Sequence, residues 1–386
     1  MAVLDISIVN VATADIRASF GAALDEIAWV STSYMMANVV VIPMTGWLQR
    51  RFGARAYFAA SLALFALASA LCGAAWSLPS LLVFRVLQGV GGGAIIPTAQ
   101  SILLARYPPE EHGLAGALFG LGAITGPLVG PSLGGYLIEA LDWHWIFLVN
   151  VPLGVMAAAL AWRHIREPGW APAREPIDAR GIALLVVAMA SLQYVLEEGN
   201  RHGWWEDAGV CAASAAAFVA LVTFVAHEFE TDAPVVDLRI FAERRYACAT
   251  AINFLVGVAA FSAAWTYAVY CATVMRYTAA ETGRVFLAAG AVQVVLMPLA
   301  ATLMKRVDGR ALVAVGVVAT ATSLYLHGQV NHLAGFWQLV RPRFVLAIGL
   351  AFLYVPLSVV ALSALPDARR GNAAGLFNLT RELGGS

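Results

Sequence analysis

The chain reads as long apolar runs separated by short polar turns, and that rhythm predicts helices. Crossing a lipid core takes ~20 helical residues. Runs of about this length recur near residues 29–48, 56–75, 81–104, 113–137, 145–162, 181–196, 208–226, 246–272, 283–304, 311–330 and 338–363. Residues 1–14 and 372–386 are shorter apolar pieces, read as parts of two further spans cut short at the two ends of the chain. The pattern therefore predicts eleven complete spans with a fragment at each end. A polar turn holding Asp15, Arg17, Asp25 and Glu26 follows the first piece, and longer polar segments at 164–180 and 227–245 bracket the pair of runs near 181–196 and 208–226.

Composition agrees with the pattern. The 386 residues are 60% hydrophobic and 12% charged, against about 25% charged in soluble domains, and the mean hydropathy is +0.75. The expected fold class is an all-α polytopic membrane protein embedded in the lipid bilayer. A formal net charge of zero and the lack of a basic run argue against a nucleic-acid partner. Cys72, Cys211, Cys248 and Cys271 lie in apolar stretches without paired spacing and read as small core residues, with no metal site expected. The first run contains Asp5 and Asn10 and has neither a basic n-region nor a cleavage site, so it is not expected to be a signal peptide.

Arginine placement gives an orientation. Alternate loops hold Arg50, Arg51 and Arg55; Arg106; Arg163, Arg166, Arg174 and Arg180; Arg239, Arg244 and Arg245; Lys305, Arg306 and Arg310; Arg369 and Arg370. The opposite loops and their edges hold only Arg17, Arg201, Arg276, Arg284, Arg341 and Arg343. The first set is therefore cytoplasmic. Trp143, Trp145, Trp204 and Trp205 fall at the outer ends of spans, where indole prefers the interface.

The chain also repeats itself. IPMTGWLQRRFGAR (residues 42–55) aligns without gaps to MPLAATLMKRVDGR (297–310), and PPEEHGLAGALF (108–119) to PDARRGNAAGLF (366–377). Both copies share one membrane orientation, which predicts two parallel halves related about the membrane normal. The expected organisation is an N-terminal bundle over 1–163, linker loops with an inserted pair of spans over 164–245, and a C-terminal bundle over 246–386.

Three features could carry chemistry. In GAITGPLVGPSLGG (122–135), glycines recur at Gly122, Gly126, Gly130 and Gly134, one helical turn apart, beside Gly135 and with Pro127 and Pro131 in the same run. Such a stripe lets another helix approach closely, and the prolines weaken the backbone ladder; it reads either as a packing helix or as a hinge in a transporter that rocks. Asp5 is an acid inside an apolar span, a functional-site hypothesis by default, with a frayed, hydrated chain end as the alternative. Arg85, Gln88, Gly89 and Gly92 share one helix face by their spacing; for Arg85 the alternative is snorkelling to the outer interface. Asn10, Gln88, Arg381 and Glu382 are cavity candidates, while Asn38, Gln100, Gln193, Asn253, Gln293 and Asn378 read mainly as interhelical hydrogen-bond partners. Enzyme signals fail: GVGGGA lies within an apolar run with no strand before it, and there is neither an HExxH nor a GxSxG motif.

Several motifs together carry a family resemblance. LDISIVNVA (4–12), GWLQRRFGAR (46–55), FRVLQGVGGGAIIP (84–97), GAITGPLVGPSLGG, WHWIFLVNVPLG (143–154) and NLTRELGGS (378–386) resemble the text of fourteen-span drug:proton antiporters of the EmrB/QacA type in the major facilitator superfamily. The resemblance implies the major facilitator fold and efflux of amphipathic, often cationic, drugs in exchange for protons across the cytoplasmic membrane, with no cofactor beyond the proton gradient. It implies a cavity lined by spans one and four, with Asp5 and Arg85 in it as the proton-coupling pair. It also implies a cytoplasmic gate loop of Gly46, Arg50, Arg51, Gly53 and Arg55, where Arg50 replaces the superfamily's usual Asp, and, in a Gram-negative host, a periplasmic adaptor and outer-membrane channel. Against that pattern, part of span one, most of span thirteen and span fourteen are expected to be missing. The competing expectations are a transport-inactive fragment and a membrane sensor or scaffold of the same fold.

Overall fold

The computed structural model describes residues 1–167, 177–277, 279–363 and 365–385. Arg174, Ser386 and the side chains of Asp25, Pro127 and Pro131 lie outside the described residues. The apolar runs form helices in the predicted order: α1 (Ala2–Phe20), α2 (Leu24–Phe52), α3 (Ala54–Gly73), α4 (Leu78–Arg106), α5 (His112–Ala140), α6 (Trp145–His164), α7 (Ala179–Glu198), α8 (Ala208–Glu230), α9 (Arg244–Thr273), α10 (Ala279–Leu303), α11 (Gly309–Gly328), α12 (Phe336–Ser363) and α13 (Asp367–Gly385). Among the described residues there is no strand. Among the described residues, ten helices, α2 to α4 and α6 to α12, are long and apolar enough to cross a membrane.

Helix ends depart from the hydropathy pattern in two places. α1 continues through Asp15 and Arg17 and stops only at Gly21, whose left-handed backbone (φ 61) directs its N–H to the Arg17 carbonyl. Apolar character marks where lipid ends, whereas the backbone ladder persists until a residue can leave it. The presumed gate loop is likewise mostly helix. Gly46, Arg50 and Arg51 belong to α2, and only Gly53 (φ 82) makes the turn into α3. Arginine is a good helix former and suits a helix C-terminus. The next turn is capped from afar, because the Glu167 carboxylate accepts the Ala54 and Arg55 N–H groups at 2.6 and 3.1 Å.

The helices gather into two bundles. In the first, α4 packs along α2 and α3, α6 along α3, and α1 along α5; in the second, α12 packs along α10 and α11, and α13 along α9. α7 and α8 pair with each other, and α7 lies on α2. There Thr32 Oγ1 donates to the Glu197 carboxylate at 2.9 Å, and Trp29 stacks on Tyr194.

The bundles meet chiefly through α2 with α13 and α5 with α10, with further contacts of α4 with α13 and α5 with α12. In the repeat α2 corresponds to α10 and α5 to α13, so these contacts are copies of one another. Gly46 packs against Asn372 and Gly371, while its counterpart Ala301 packs against Gly113, the counterpart of Gly371. Small residues at these positions let the backbones approach. They lie toward the arginine-rich ends of their helices, so the bundles are closed at that end.

A strap formed by residues 231–243 crosses that closure. Arg50 of α2 donates to the Pro234 carbonyl at 3.4 Å, and Asn372 of α13 donates to the Asp237 carbonyl at 2.9 Å. Arg369 pairs with the Asp237 carboxylate at 3.4 Å. Val235, Val236 and Ile240 anchor the strap in the apolar cluster of Leu185, Phe224 and Phe377.

Candidate functional site

Five helices of the first bundle bring polar atoms to one point in an apolar surround of Ile8, Val9, Leu81, Ile146 and Phe147. Asp5 on α1 is wholly buried, and Arg85 on α4 is 1% exposed. Arg85 Nη1 donates to Asp5 Oδ2 at 2.6 Å and to Gln88 Oε1 at 2.7 Å, while its Nε donates to the Val30 carbonyl of α2 at 2.9 Å. The other carboxylate oxygen, Asp5 Oδ1, accepts from Gln88 Nε2 at 2.9 Å and from Asn150 Nδ2 of α6 at 2.8 Å. Ser69 of α3 closes the net, accepting from Gln88 at 3.1 Å and donating to the Phe147 carbonyl at 2.8 Å. The Tyr34 ring lies 4.3 Å from the guanidinium.

The sequence assembles this net locally. Arg85 and Gln88 are three residues apart, so one face of α4 presents both. A buried ion pair survives desolvation only if its remaining donors and acceptors are also met, and here neighbouring helices meet them. The arrangement encloses a carboxyl group against a guanidinium away from solvent, with partners drawn from five helices.

α1, which carries Asp5, lies on the glycine face of α5. A methyl on Gly126 would come within 2.7 Å of the Leu4 backbone nitrogen, one on Gly130 would strike the Ser7 side chain, and one on Gly134 would reach 3.3 Å from Ile8. Gly122 and Gly135 have nothing within 4 Å, so the contact stripe is shorter than the sequence pattern. On α4, Gly89 and Gly92 press against Tyr34 and Gly91 against Phe65.

Between the bundles lies a cavity of about 250 Å³. α12 contributes Arg343, Leu346, Leu350, Tyr354 and Ser358, with further lining from α5, α9, α10 and α13.

A profile of the Major Facilitator Superfamily matches residues 1–386. The chain belongs to the major facilitator superfamily. It is 35% identical to the multidrug export protein EmrB of Escherichia coli and 33% to that of Haemophilus influenzae, in each case over 100% of this chain and 76% of the relative. It is 34% identical to the fatty acid resistance protein FarB of Neisseria gonorrhoeae, with the same coverage. Among solved structures, the proton:xylose symporter XylE superposes with a TM-score of 0.67 at 13% identity, covering 100% of this chain and 84% of that one. The human organic anion transporter MFSD10 gives 0.64 at 15% identity, covering 99% and 88%. Both structures share the fold. Family and neighbours are transporters rather than enzymes, and the chain is a membrane-spanning transporter closely related to EmrB-type exporters.

Within this major facilitator protein, Asp5, Arg85 and Gln88 come together as one net, but they are not among the lining residues of the cavity. α1 and α4 contribute Val3, Ile96 and Gln100 to it instead. Asn10 is exposed and accepts from Ser31 at 3.5 Å, away from this cavity, whereas Arg381 and Glu382 do line it. Of the other polar span residues, Gln100 accepts from Asn378 at 2.7 Å across the bundle interface, and Asn253 donates to the Phe377 carbonyl at 2.7 Å. Arg50 reaches the strap, Arg51 lies over the Trp47 ring, and Arg55 stacks on Trp162 at 4.4 Å.

Other expectations need correction. Trp143 is buried against Phe20 and Phe147 rather than anchored at the interface, and its indole N–H donates to Ser19. Cys211 and Cys248 are exposed on the outside of the bundles, while Cys72 and Cys271 are core residues. Sequence reasoning missed Ser69, Tyr34 and Asn150, though Asn150 lies within the family-like stretch WHWIFLVNVPLG. It also missed Arg343, read as a loop edge.

Proposed function

We propose that this chain works as a proton-coupled exporter of amphipathic compounds in the cytoplasmic membrane, alternating access by rocking residues 1–163 against 246–386 with 164–245 as an inserted pair. The Asp5 net is the observation that carries the reading: an acid enclosed with a permanent cation, on a helix seated along the glycine face of α5. In this mechanism Asp5 takes up and releases the transported proton, and Arg85 biases its protonation or orders nearby solvent. Gly126, Pro127, Gly130 and Pro131 form the seam along which α1 and α5 shift. The proton gradient drives the cycle without a cofactor. The names of the relatives support drug-like substrates, and the apolar lining of the cavity suits molecules with large hydrocarbon or aromatic parts. In a Gram-negative host the exporter would deliver to a periplasmic adaptor and an outer-membrane channel.

The test is proton-driven efflux of ethidium from everted membrane vesicles carrying the full-length protein. Asp5→Asn keeps the size of the side chain and removes its charge cycle, so efflux should fall to the background of empty vesicles with membrane levels unchanged. Efflux at the unaltered rate would remove Asp5 from the coupling role.

A further inference from the structure

Arg343 of α12 lines the cavity between the bundles, and among the described residues its charge is unanswered. Its Nε and Nη1 are buried without a hydrogen-bond partner, and no carboxylate among the described residues forms an ion pair with it. The guanidinium lies 4.1 Å from the Phe286 ring of α10, with the Tyr267 and Cys271 side chains of α9 within electrostatic reach. Arginine cannot shed its proton as a buried lysine can, so its charge has to be met by something other than these side chains.

Nothing else in the cavity cancels that charge. The other ionisable lining residues, Arg381 and Glu382, stand 3.7 Å apart and face one another, with Arg381 also donating to Asn378 at 2.9 Å. A guanidinium stacked on an aromatic face keeps its N–H edge free for an acceptor in its plane, and that edge matches the two oxygens of a carboxylate. A second unmet donor, Gln293 Nε2, lines the same cavity. Gln293 follows Phe286 by seven residues on one face of α10, about 10 Å further in. Phe119, Phe261, Leu346 and Leu350 supply apolar walls.

We infer that Arg343 is the headgroup subsite for an amphipathic monoanion, a carboxylate or sulfonate whose apolar body extends inward along the cavity. This rests on the export reading for its physiological meaning, but the subsite itself is tested by binding without a gradient. The full-length protein in nanodiscs is equilibrated with radiolabelled dodecanoate or dodecyltrimethylammonium, which share a tail and differ in charge, and binding to empty nanodiscs is subtracted.

The unaltered protein should hold dodecanoate at least about tenfold more tightly than the cation. Arg343→Gln should erase the preference, and Arg343→Glu should reverse it, an inversion that general misfolding cannot produce. Should Arg343→Gln fail to fold, Arg343→Lys decides, since it keeps the charge but loses the fork: dodecanoate affinity must fall while that for the cation stays. Unchanged dodecanoate binding in Arg343→Gln, or equal loss of both probes, overturns the assignment. A protein that binds dodecanoate selectively yet exports nothing in the vesicle assay keeps the subsite and loses the export reading.

Discussion

Arg85 and Arg343 are the same side chain in two bundles, and their surroundings differ in almost every respect. Arg85 is held by Asp5, Gln88 and the Val30 carbonyl, under the Tyr34 ring. Arg343 has the Phe286 ring and a cavity. Burial therefore says little about what a charged group does. A guanidinium satisfied by its own protein is part of a structural and ionisable unit, while one left unsatisfied is complementary to something that arrives. Several neutral polar atoms are also buried without partners, but Arg343 combines unmet donors with a permanent charge on a cavity wall, which is the basis of the subsite proposed for it.

Stability measurements would break or sharpen this contrast. The largest effect is expected for Arg85→Met, which strands the Asp5 carboxylate among apolar neighbours; losing one member of a buried pair costs about 3–5 kcal/mol. The melting midpoint of the purified protein should drop steeply, and adding Asp5→Ala should recover part of the loss. An unchanged melt would mean that the net does not act as a unit. A smaller loss is expected for Gly130→Leu, because the new side chain collides with Ser7 on α1, an overpacking that costs about 1–3 kcal/mol. Efflux should also stop, whereas Gly122→Leu on the same helix, with open space around it, should alter neither melt nor efflux. The smallest effect is expected for Arg343→Gln. Removing an uncompensated charge should leave the melt unchanged or raise it, by up to about 1 kcal/mol. A fall as large as that of Arg85→Met would show Arg343 to be bound into the fold and would collapse the distinction.

Much of this was legible in the sequence, for identifiable reasons. Lipid forbids long polar stretches and unpaired backbone, so spans announce themselves by length, and the duplicated segments at 42–55 and 297–310 mark the two halves. Asp5 stood out because an acid in an apolar run is costly, and Gln88 followed from its helical register with Arg85. Ser69, Tyr34 and Asn150 did not, since each is a single neutral polar residue on a distant helix and nothing in its neighbourhood names its partner. The gate residues were misplaced because charge was read as loop, although the ladder of α2 runs on to Phe52. Arg343 was hidden by its neighbour. Arg341 and Arg343 flank Pro342 near the start of an apolar run and look alike, yet positions two apart face opposite sides of a helix, and only Arg341 is exposed. That register was the available signal.

The strap at 231–243 gives the inserted helices a mechanical meaning. Through Thr32 and Glu197, α7 is fastened to α2, so α7 and α8 ride with the first bundle, while Asp237 midway along the strap is gripped by Arg369 and Asn372 of the second. The pair thus forms the fixed post of a leash that runs on into α9 and is also held midway, across the arginine-rich seam. The seam cannot part there without slackening that leash or breaking one of its knots.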